Sequence, residues 1–134
     1  IEVIVVDNGS EVDMAPQVAQ QFPEVTYIRS EKNLGFAGGN NLGIAVAKGD
    51  FLFFVNNDTE IEDGCLEWLI ARFQSSTAIG VVSPKIRYFH HQDTIQYAGF
   101  SRISTLTARN KTFGKDEQDK GQWNIPDITH YAHG

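Results

Sequence analysis

Short apolar runs in the first half of the chain predict three β-strands. Residues Ile1–Val6 and Phe51–Val55 are largely apolar and end abruptly in polar clusters, and Val25–Arg29 is interpreted as a further strand. Continuous apolar runs are typical of strands that are covered on both faces, as in a parallel sheet. We expect Phe51–Val55 to be the most clearly buried strand of the chain.

Between these runs, apolar residues recur at helical spacing and predict two helices. One begins near Ser10 and is closed by Pro23; the other begins near Asn40 and continues to Gly49, after a flexible loop over Glu31–Gly39. Strands and helices that alternate in this way specify an α/β fold, with helices on the faces of a mostly parallel sheet. The residues that set the helical spacing are Val12, Ala15, Val18, Ala19, Phe22, Leu42, Ala45 and Val46.

The second half of the chain predicts one more helix and two more strands. The strands are expected around Val81–Ile86, where Pro84 marks an edge, and over Ile95–Phe100. Residues 101–127 are polar, and we expect them to form a long surface loop. No repeat or linker divides the sequence, so residues 1–134 are interpreted as a single domain. The helix is amphipathic, with an inner face of Leu66, Leu69, Ile70 and Phe73.

The charge limits the kinds of binding partner that we expect, and the cysteine content indicates the cellular compartment. The chain of 134 residues holds 11 Lys and Arg against 17 Asp and Glu, and its net charge of −6 speaks against a nucleic-acid partner. The single Cys65 excludes an internal disulfide and fits a reducing compartment. No apolar run approaches the roughly 20 residues that span a bilayer. Because the chain starts at Ile1, without a signal peptide, we interpret it as a piece of a longer, cytoplasmic protein.

Asp58 is the first candidate for chemistry, because three polar residues follow five apolar ones at this point. A carboxylate next to the amide oxygens of Asn56 and Asn57 suits Mg²⁺ or Mn²⁺ that holds a diphosphate. The alternative is that Asp58 caps the following helix or closes an Asx turn.

Asp7 and the glycine-rich segment after Asn33 are equally open to two interpretations. Asp7 can hydrogen-bond a nucleotide base or ribose, or it can cap a helix that begins near Ser10. Residues 35–41 precede a helix and can hold an anion, or they form a bare turn. The segment matches neither GxGxxG nor a P-loop, which disfavours a dinucleotide dehydrogenase and a P-loop NTPase.

The histidines and the cysteine are interpreted as structural. No Cys or His partner stands at the spacing of a zinc site, so the histidines are expected to lie at the surface or to pack, and Cys65 to act as a small buried hydrophobe. The histidines are His90, His91, His130 and His133.

Five motifs follow one another along the chain: Ile4–Ser10, Asn33–Gly43, Phe53–Thr59, Val81–Ile86 and Ile95–Gly99. Each is weak alone, but in this order and spacing, over most of the chain, they resemble family 2 glycosyltransferases of the GT-A fold. The subgroup that they resemble contains bacterial rhamnosyltransferases and related enzymes that build surface polysaccharides of the cell envelope.

The resemblance implies a role for individual residues. Asp7 falls where the family contacts the nucleotide base. The segment Asn56–Asp58 falls on the family's DxD motif, whose last acid binds the divalent metal, Mn²⁺ or Mg²⁺, that bridges the donor's diphosphate. Asn56 replaces the first acid of that motif, so the metal is assigned to Asp58. The residues implied in nucleotide-sugar binding are Asp7, Asn8, Asn33, Gly35, Asn40, Asn56, Asn57 and Asp58.

The resemblance also implies an activity and its partners. The family moves a sugar from a nucleoside diphosphate donor to a saccharide or lipid-linked acceptor, with inversion, and needs a general base. That base is expected beyond Gly134, with His133 as the rival, and the family's first strand precedes Ile1. We therefore expect the isolated chain to be inactive and to self-associate through exposed strand edges. The parent is expected in the cytoplasm, with peripheral attachment to the inner membrane face.

Two other functions remain open at this point. A non-catalytic nucleotide-sugar or carbohydrate-binding module with the same fold is favoured by Asn56, which removes one acid from the metal motif. A nucleotidyltransferase shares the fold type and the use of a metal, but it carries a basic glycine-rich signature near its first strand.

Overall fold

A computed structural model describes residues 1–131 of the chain, and the proposed rival base His133 lies outside them. The chain divides into two compact units, Ile1–Asp58 and Thr59–Gly134. Within the described residues, no helix is long and apolar enough to cross a membrane.

The first unit is a parallel pair of strands with helices. Its elements are β1 (Ile4–Asn8), α1 (Ala15–Gln21), β2 (Thr26–Ser30) and α2 (Gly35–Ile44). The two strands pair in parallel, with Val5 opposite Tyr27 and Asp7 opposite Arg29. A strand, a helix and a parallel strand in sequence form the βαβ unit of α/β proteins, so the predicted fold class is confirmed.

Glycines of α2 let this helix lie close to β1. A Cβ atom added to Gly39 would lie 3.1 Å from Cγ of Asn8, and one added to Gly43 would lie 3.3 Å from Cγ2 of Val6. The two glycines are four residues apart and so share one helix face. The prediction of a loop over Glu31–Gly39 is confirmed for residues 31–34 and was wrong for residues 35–39, because α2 begins at Gly35 and its glycines serve close packing rather than loop flexibility.

The predicted start of the first helix near Ser10 was also wrong. Gly9 adopts a φ of +87°, which turns the chain away from helical geometry, and α1 begins only at Ala15. Pro16 stands in the first turn of α1, where its missing N–H is of no consequence. The loop between β1 and α1 is therefore longer than the apolar spacing indicated.

The predicted buried strand Phe51–Val55 is not formed. These residues belong to no strand of the described chain, and their exposed fractions range from 42% to 51%. A strand exists only where its N–H and C=O groups meet those of a neighbour. No β-ladder within residues 1–131 includes this segment, so its apolar pattern has no sheet in which to be buried.

The second unit contains α3 (Cys65–Gln74), β3 (Ile86–Tyr88) and β4 (His91–Tyr97), and the two strands are antiparallel. The helix predicted for the second half of the chain is confirmed as α3. Its residues Leu66, Leu69 and Phe73 are half-buried, whereas Ile70 is exposed.

The predicted strand boundaries in the second unit were inaccurate. Val81–Val82 lie outside β3, and β4 begins before Ile95 and ends at Tyr97 rather than Phe100. Gly99, with a φ of +128°, takes the chain out of extended geometry just after β4.

Residues 111–119 run alongside β4 and hydrogen-bond to it and to the residues just after it, without forming a regular strand. The N–H of Ala98 donates to the carbonyl of Phe113 at 3.0 Å, and the N–H of Ile95 donates to that of Glu117 at 2.9 Å. This contact helps to cover Ile95 and Tyr97, which are 0% and 1% exposed. The polar segment 101–127 contains no helix and only isolated β-bridges, yet part of it closes the core of the second unit.

Candidate functional site

The carboxylate of Asp7 lies at the carboxyl end of β1 and is held on both oxygens. Its Oδ1 accepts a hydrogen bond from the N–H of Ser10 at 2.8 Å, and its Oδ2 accepts one from the hydroxyl of Tyr27 at 2.8 Å. The side chain is only 5% exposed. Asp7 therefore closes an Asx-type turn into the loop after β1, and it does not cap α1.

Arg29 connects this carboxylate to the loop. Its Nε lies 3.6 Å from Oδ2 of Asp7, and one terminal nitrogen lies 3.1 Å from Oδ1 of Asp13. The other terminal nitrogen donates to the carbonyl of Ser10 at 2.9 Å. One guanidinium thus fastens the segment Gly9–Asp13 to β2.

These contacts fix the charge of Asp7. The hydrogen bonds from Ser10, and after them the one from Tyr27 and the charge of Arg29, lower the pKa of Asp7 from 3.8 to about 2, although desolvation acts in the opposite direction. The pKa of Tyr27 is raised, mainly by desolvation and by its hydrogen bond to Asp7. At neutral pH, Asp7 is an ionised group that can only accept hydrogen bonds.

The lowered pKa of Asp7 predicts a pH dependence of stability. A carboxylate whose folded pKa of about 2 lies below its ordinary 3.8 stabilises the fold above the ordinary value, and this contribution is lost as the pH falls through that interval. Asp7→Asn should therefore unfold at a lower temperature than the unmodified chain at neutral pH, and the difference should shrink in acid. Thermal unfolding from about pH 2 to about pH 7 measures this. Asp50→Asn, at an exposed position, is the control, and a constant difference between Asp7→Asn and the unmodified chain would contradict the prediction.

Asn8 joins the end of β1 to the start of α2. Its Nδ2 donates to Oδ1 of Asn33 at 3.2 Å and to the carbonyl of Gly35 at 3.0 Å, and its Oδ1 accepts from the N–H of Leu34 at 2.9 Å. Oδ1 of Asn33 also accepts from the N–H of Gly35 at 2.8 Å. The structure thus brings three predicted site residues together, and their polar groups bind one another.

Gly9 makes the close approach between the end of β1 and the segment before α2 possible. A Cβ atom at this position would lie 2.6 Å from the backbone nitrogen of Asn33, closer than real Cβ contacts allow. Asn40, which the resemblance also assigned to the donor, is half-buried on α2 and takes no part in the hydrogen-bond network.

The segment Asn56–Asp58 differs from this network, because all three side chains are exposed. Within residues 1–131, Asp58 makes no side-chain hydrogen bond or ion pair, and no hydrogen bond joins the segment to Asp7 or Asn8. The N-cap of α3 is Gly64, so Asp58 does not cap that helix. No group of three His, Cys, Asp or Glu side chains that could hold a metal occurs among the described residues.

Sequence reasoning missed Tyr27 and Arg29. A signal for them existed: they stand two residues apart on the second predicted strand, so they lie on one face of it, and in a parallel pair that face can be shared with Asp7.

Cys65 is partly buried, and burial raises the pKa of its thiol. The ring of His90 packs edge-on against Phe89, with the ring centroids 4.9 Å apart.

The chain belongs to the family 2 glycosyltransferases. The model of the family described as Glycosyl transferase family 2 matches residues 1–134. This match confirms the resemblance that the five motifs carried, and the α/β architecture of the first unit agrees with the GT-A fold that the resemblance implied.

Several curated proteins are similar to the chain. Glycosyltransferase GlyG of Streptococcus pneumoniae is 30% identical over 92 residues, which cover 66% of this chain and 30% of GlyG. The uncharacterized glycosyltransferase alr2836 of Nostoc sp. is 31% identical over 98 residues, 71% of this chain and 28% of that protein. Polypeptide N-acetylgalactosaminyltransferase 15 of Mus musculus is 32% identical over 127 residues, 87% of this chain and 19% of that protein.

The chain therefore matches less than a third of the length of these relatives. No solved structure matches it significantly.

Proposed function

We propose that the chain binds the nucleoside diphosphate sugar of a glycosyltransferase that transfers the sugar to a saccharide or lipid-linked acceptor. The observation that carries this proposal is the pair of polar clusters around Asp7 and Asn8 at the carboxyl end of β1, in a chain of family 2. Ligands of parallel α/β sheets bind beyond the carboxyl ends of the strands, which is where Asp7 and Asn8 lie.

Each of the two clusters suits a different part of the donor. The ionised Asp7 accepts hydrogen bonds and so suits the N–H or O–H donors of a nucleoside. Asn8 and Asn33 hold the first turn of α2 on the opposite face of β1, at the same end of the strand, and the N-terminus of a helix favours negatively charged phosphate. In this proposal, Asn8, Asn33 and Gly35 act mainly by fixing the start of α2.

The oxygen atoms that Asp58, Asn56 and Asn57 offer as metal ligands suit a cation that arrives with the diphosphate. Mg²⁺ and similar ions are commonly held by one or two carboxylates together with substrate phosphates, rather than by a cage made of protein alone. Asp58 offers one exposed carboxylate, and Asn56 and Asn57 offer neutral amide oxygens. Mn²⁺ or Mg²⁺ held there would neutralise the charge that develops on the departing diphosphate.

The acceptor side remains without an assigned base. Attack by an acceptor hydroxyl with inversion needs a general base, and both Asp7 and Asp58 already have roles on the donor side. The cytoplasmic location, the peripheral attachment to the inner membrane face and the self-association through strand edges stay predictions.

Titration with nucleoside diphosphates tests the proposal. UDP, dTDP, GDP, CDP and ADP are each titrated into the chain with and without Mn²⁺, and calorimetry is expected to show Mn²⁺-dependent binding of at least one of them. Failure of all five to bind would contradict the proposal. Assays of sugar transfer from the matching nucleotide sugars then separate the enzyme from the alternative that Asn56 favours, a binding module that holds the donor without turnover.

A further inference from the structure

We propose that Tyr27 and Arg29 are positioning residues that aim the Asp7 carboxylate at the nucleoside, an inference that rests on the proposed function. Neither residue belongs to the five motifs that carry the family resemblance. Both stand on β2, and their side chains share one face of the parallel pair with that of Asp7.

Tyr27 and Ser10 together fix the plane of the carboxylate. Tyr27 donates to Oδ2 and Ser10 donates to Oδ1, both at 2.8 Å. A carboxylate has about four acceptor positions, so two hydrogen bonds leave further positions whose directions are already set. Only 5% of the side chain is exposed, so a nucleoside can meet little of the carboxylate, and the orientation of the carboxylate decides whether an open acceptor position is among the part it meets.

Arg29 holds the loop that carries Ser10. It binds the carbonyl of Ser10 and the carboxylate of Asp13 while it faces Asp7 at 3.6 Å. The groups that act on the charge of Asp7 are thus Ser10 from the loop and Tyr27 and Arg29 from β2, and Asp13 pairs with the same Arg29. The helices α1 and α2 contain no charged residue.

The test compares Tyr27→Phe with the unmodified chain, using two probes. The tightest binder among the five nucleoside diphosphates reports on the nucleoside contact, and inorganic pyrophosphate with Mn²⁺ reports on the cation and phosphate contacts alone. Tyr27→Phe should weaken the nucleoside diphosphate about tenfold, the loss typical of a hydrogen bond to a charged group, and leave pyrophosphate unchanged. Tyr88→Phe is the matched control, because it removes a hydroxyl that donates to Asp116 at 2.9 Å in the other unit.

A double-mutant cycle with Asp7→Asn separates positioning from a structural effect. If Tyr27 acts through Asp7, Tyr27→Phe should cause no further loss of nucleoside affinity in the Asp7→Asn background. Arg29→Lys, which keeps the charge but not the planar fork, should show the same selective loss as Tyr27→Phe and extends the test to the loop.

The outcomes distinguish the inference from the proposed function. Equal loss of nucleoside diphosphate and pyrophosphate affinity, no loss at all, or additive effects in the cycle would overturn the positioning role while leaving the donor site in place. If none of the five diphosphates binds the unmodified chain, both the donor site and the positioning role are overturned.

Discussion

Asp58→Ala should remove the Mn²⁺ dependence of nucleotide binding, with a loss of about a hundredfold in the affinity of the nucleoside diphosphate when Mn²⁺ is present. The reason is that Asp58 is the one carboxylate in the exposed segment Asn56–Asp58, and neutral amides do not replace its charge. The free energy of unfolding should change by no more than about 0.5 kcal/mol, because an exposed side chain without hydrogen bonds contributes little to packing. Calorimetric titration and urea unfolding measure the two effects.

Two further variants sharpen this prediction. Asp50→Ala removes an exposed acid from the same unit and should leave the nucleotide affinity as it was. Asn56→Asp adds a second acid where the family has one, and should tighten Mn²⁺-dependent binding. The metal assignment fails if Asp58→Ala binds the diphosphate with unchanged Mn²⁺ dependence.

The sequence predicted those elements that depend on local pattern and on a partner close in the chain. The strands that became β1 and β2 are joined by a single short helix, so their apolar pattern and their pairing are both local. The segment Phe51–Val55 carried a stronger apolar pattern, yet it forms no strand in the described chain. Periodicity indicates which residues can be buried, but a strand also needs a neighbour, and the pattern does not show whether one is present.

The site was predicted in part for a similar reason. Asn8, Asn33 and Gly35 were identified from motifs, and the structure brings them together, whereas Asp7 is held separately by Ser10, Tyr27 and Arg29. What the motifs could not show is how the polar groups are paired, because the partner of Asp7 depends on the register of β1 and β2. The glycines of α2 predicted a loop because glycine disfavours a helix by about 1 kcal/mol, yet Gly39 and Gly43 are needed where the helix meets β1.

Gly114→Ala should destabilise the second unit strongly, by about 2 to 5 kcal/mol. Gly114 is buried and has a φ of +72°, in the left-handed region that an alanine adopts only with strain. An added Cβ would also lie 2.9 Å from Cγ2 of Ile95 and 3.1 Å from Cβ of Ala98. Since Ile95 is fully buried and both contacts lie on or next to β4, the segment could relieve the clash only by moving away from the strand that it covers.

Gly121→Ala separates the two causes of this loss. Gly121 has a similar φ of +81°, but the nearest atom to an added Cβ is Nδ2 of Asn124 at 3.2 Å, on an exposed side chain that can shift by a few tenths of an ångström while Lys85 keeps its hydrogen bond to Oδ1. This control should therefore cost only the backbone strain, about 1 to 2 kcal/mol, and urea unfolding of the two variants gives the clash as the difference. Equal losses in both variants would show that segment 111–119 yields to the added methyl group, and that its contact with β4 is not the tight packing inferred from Ile95.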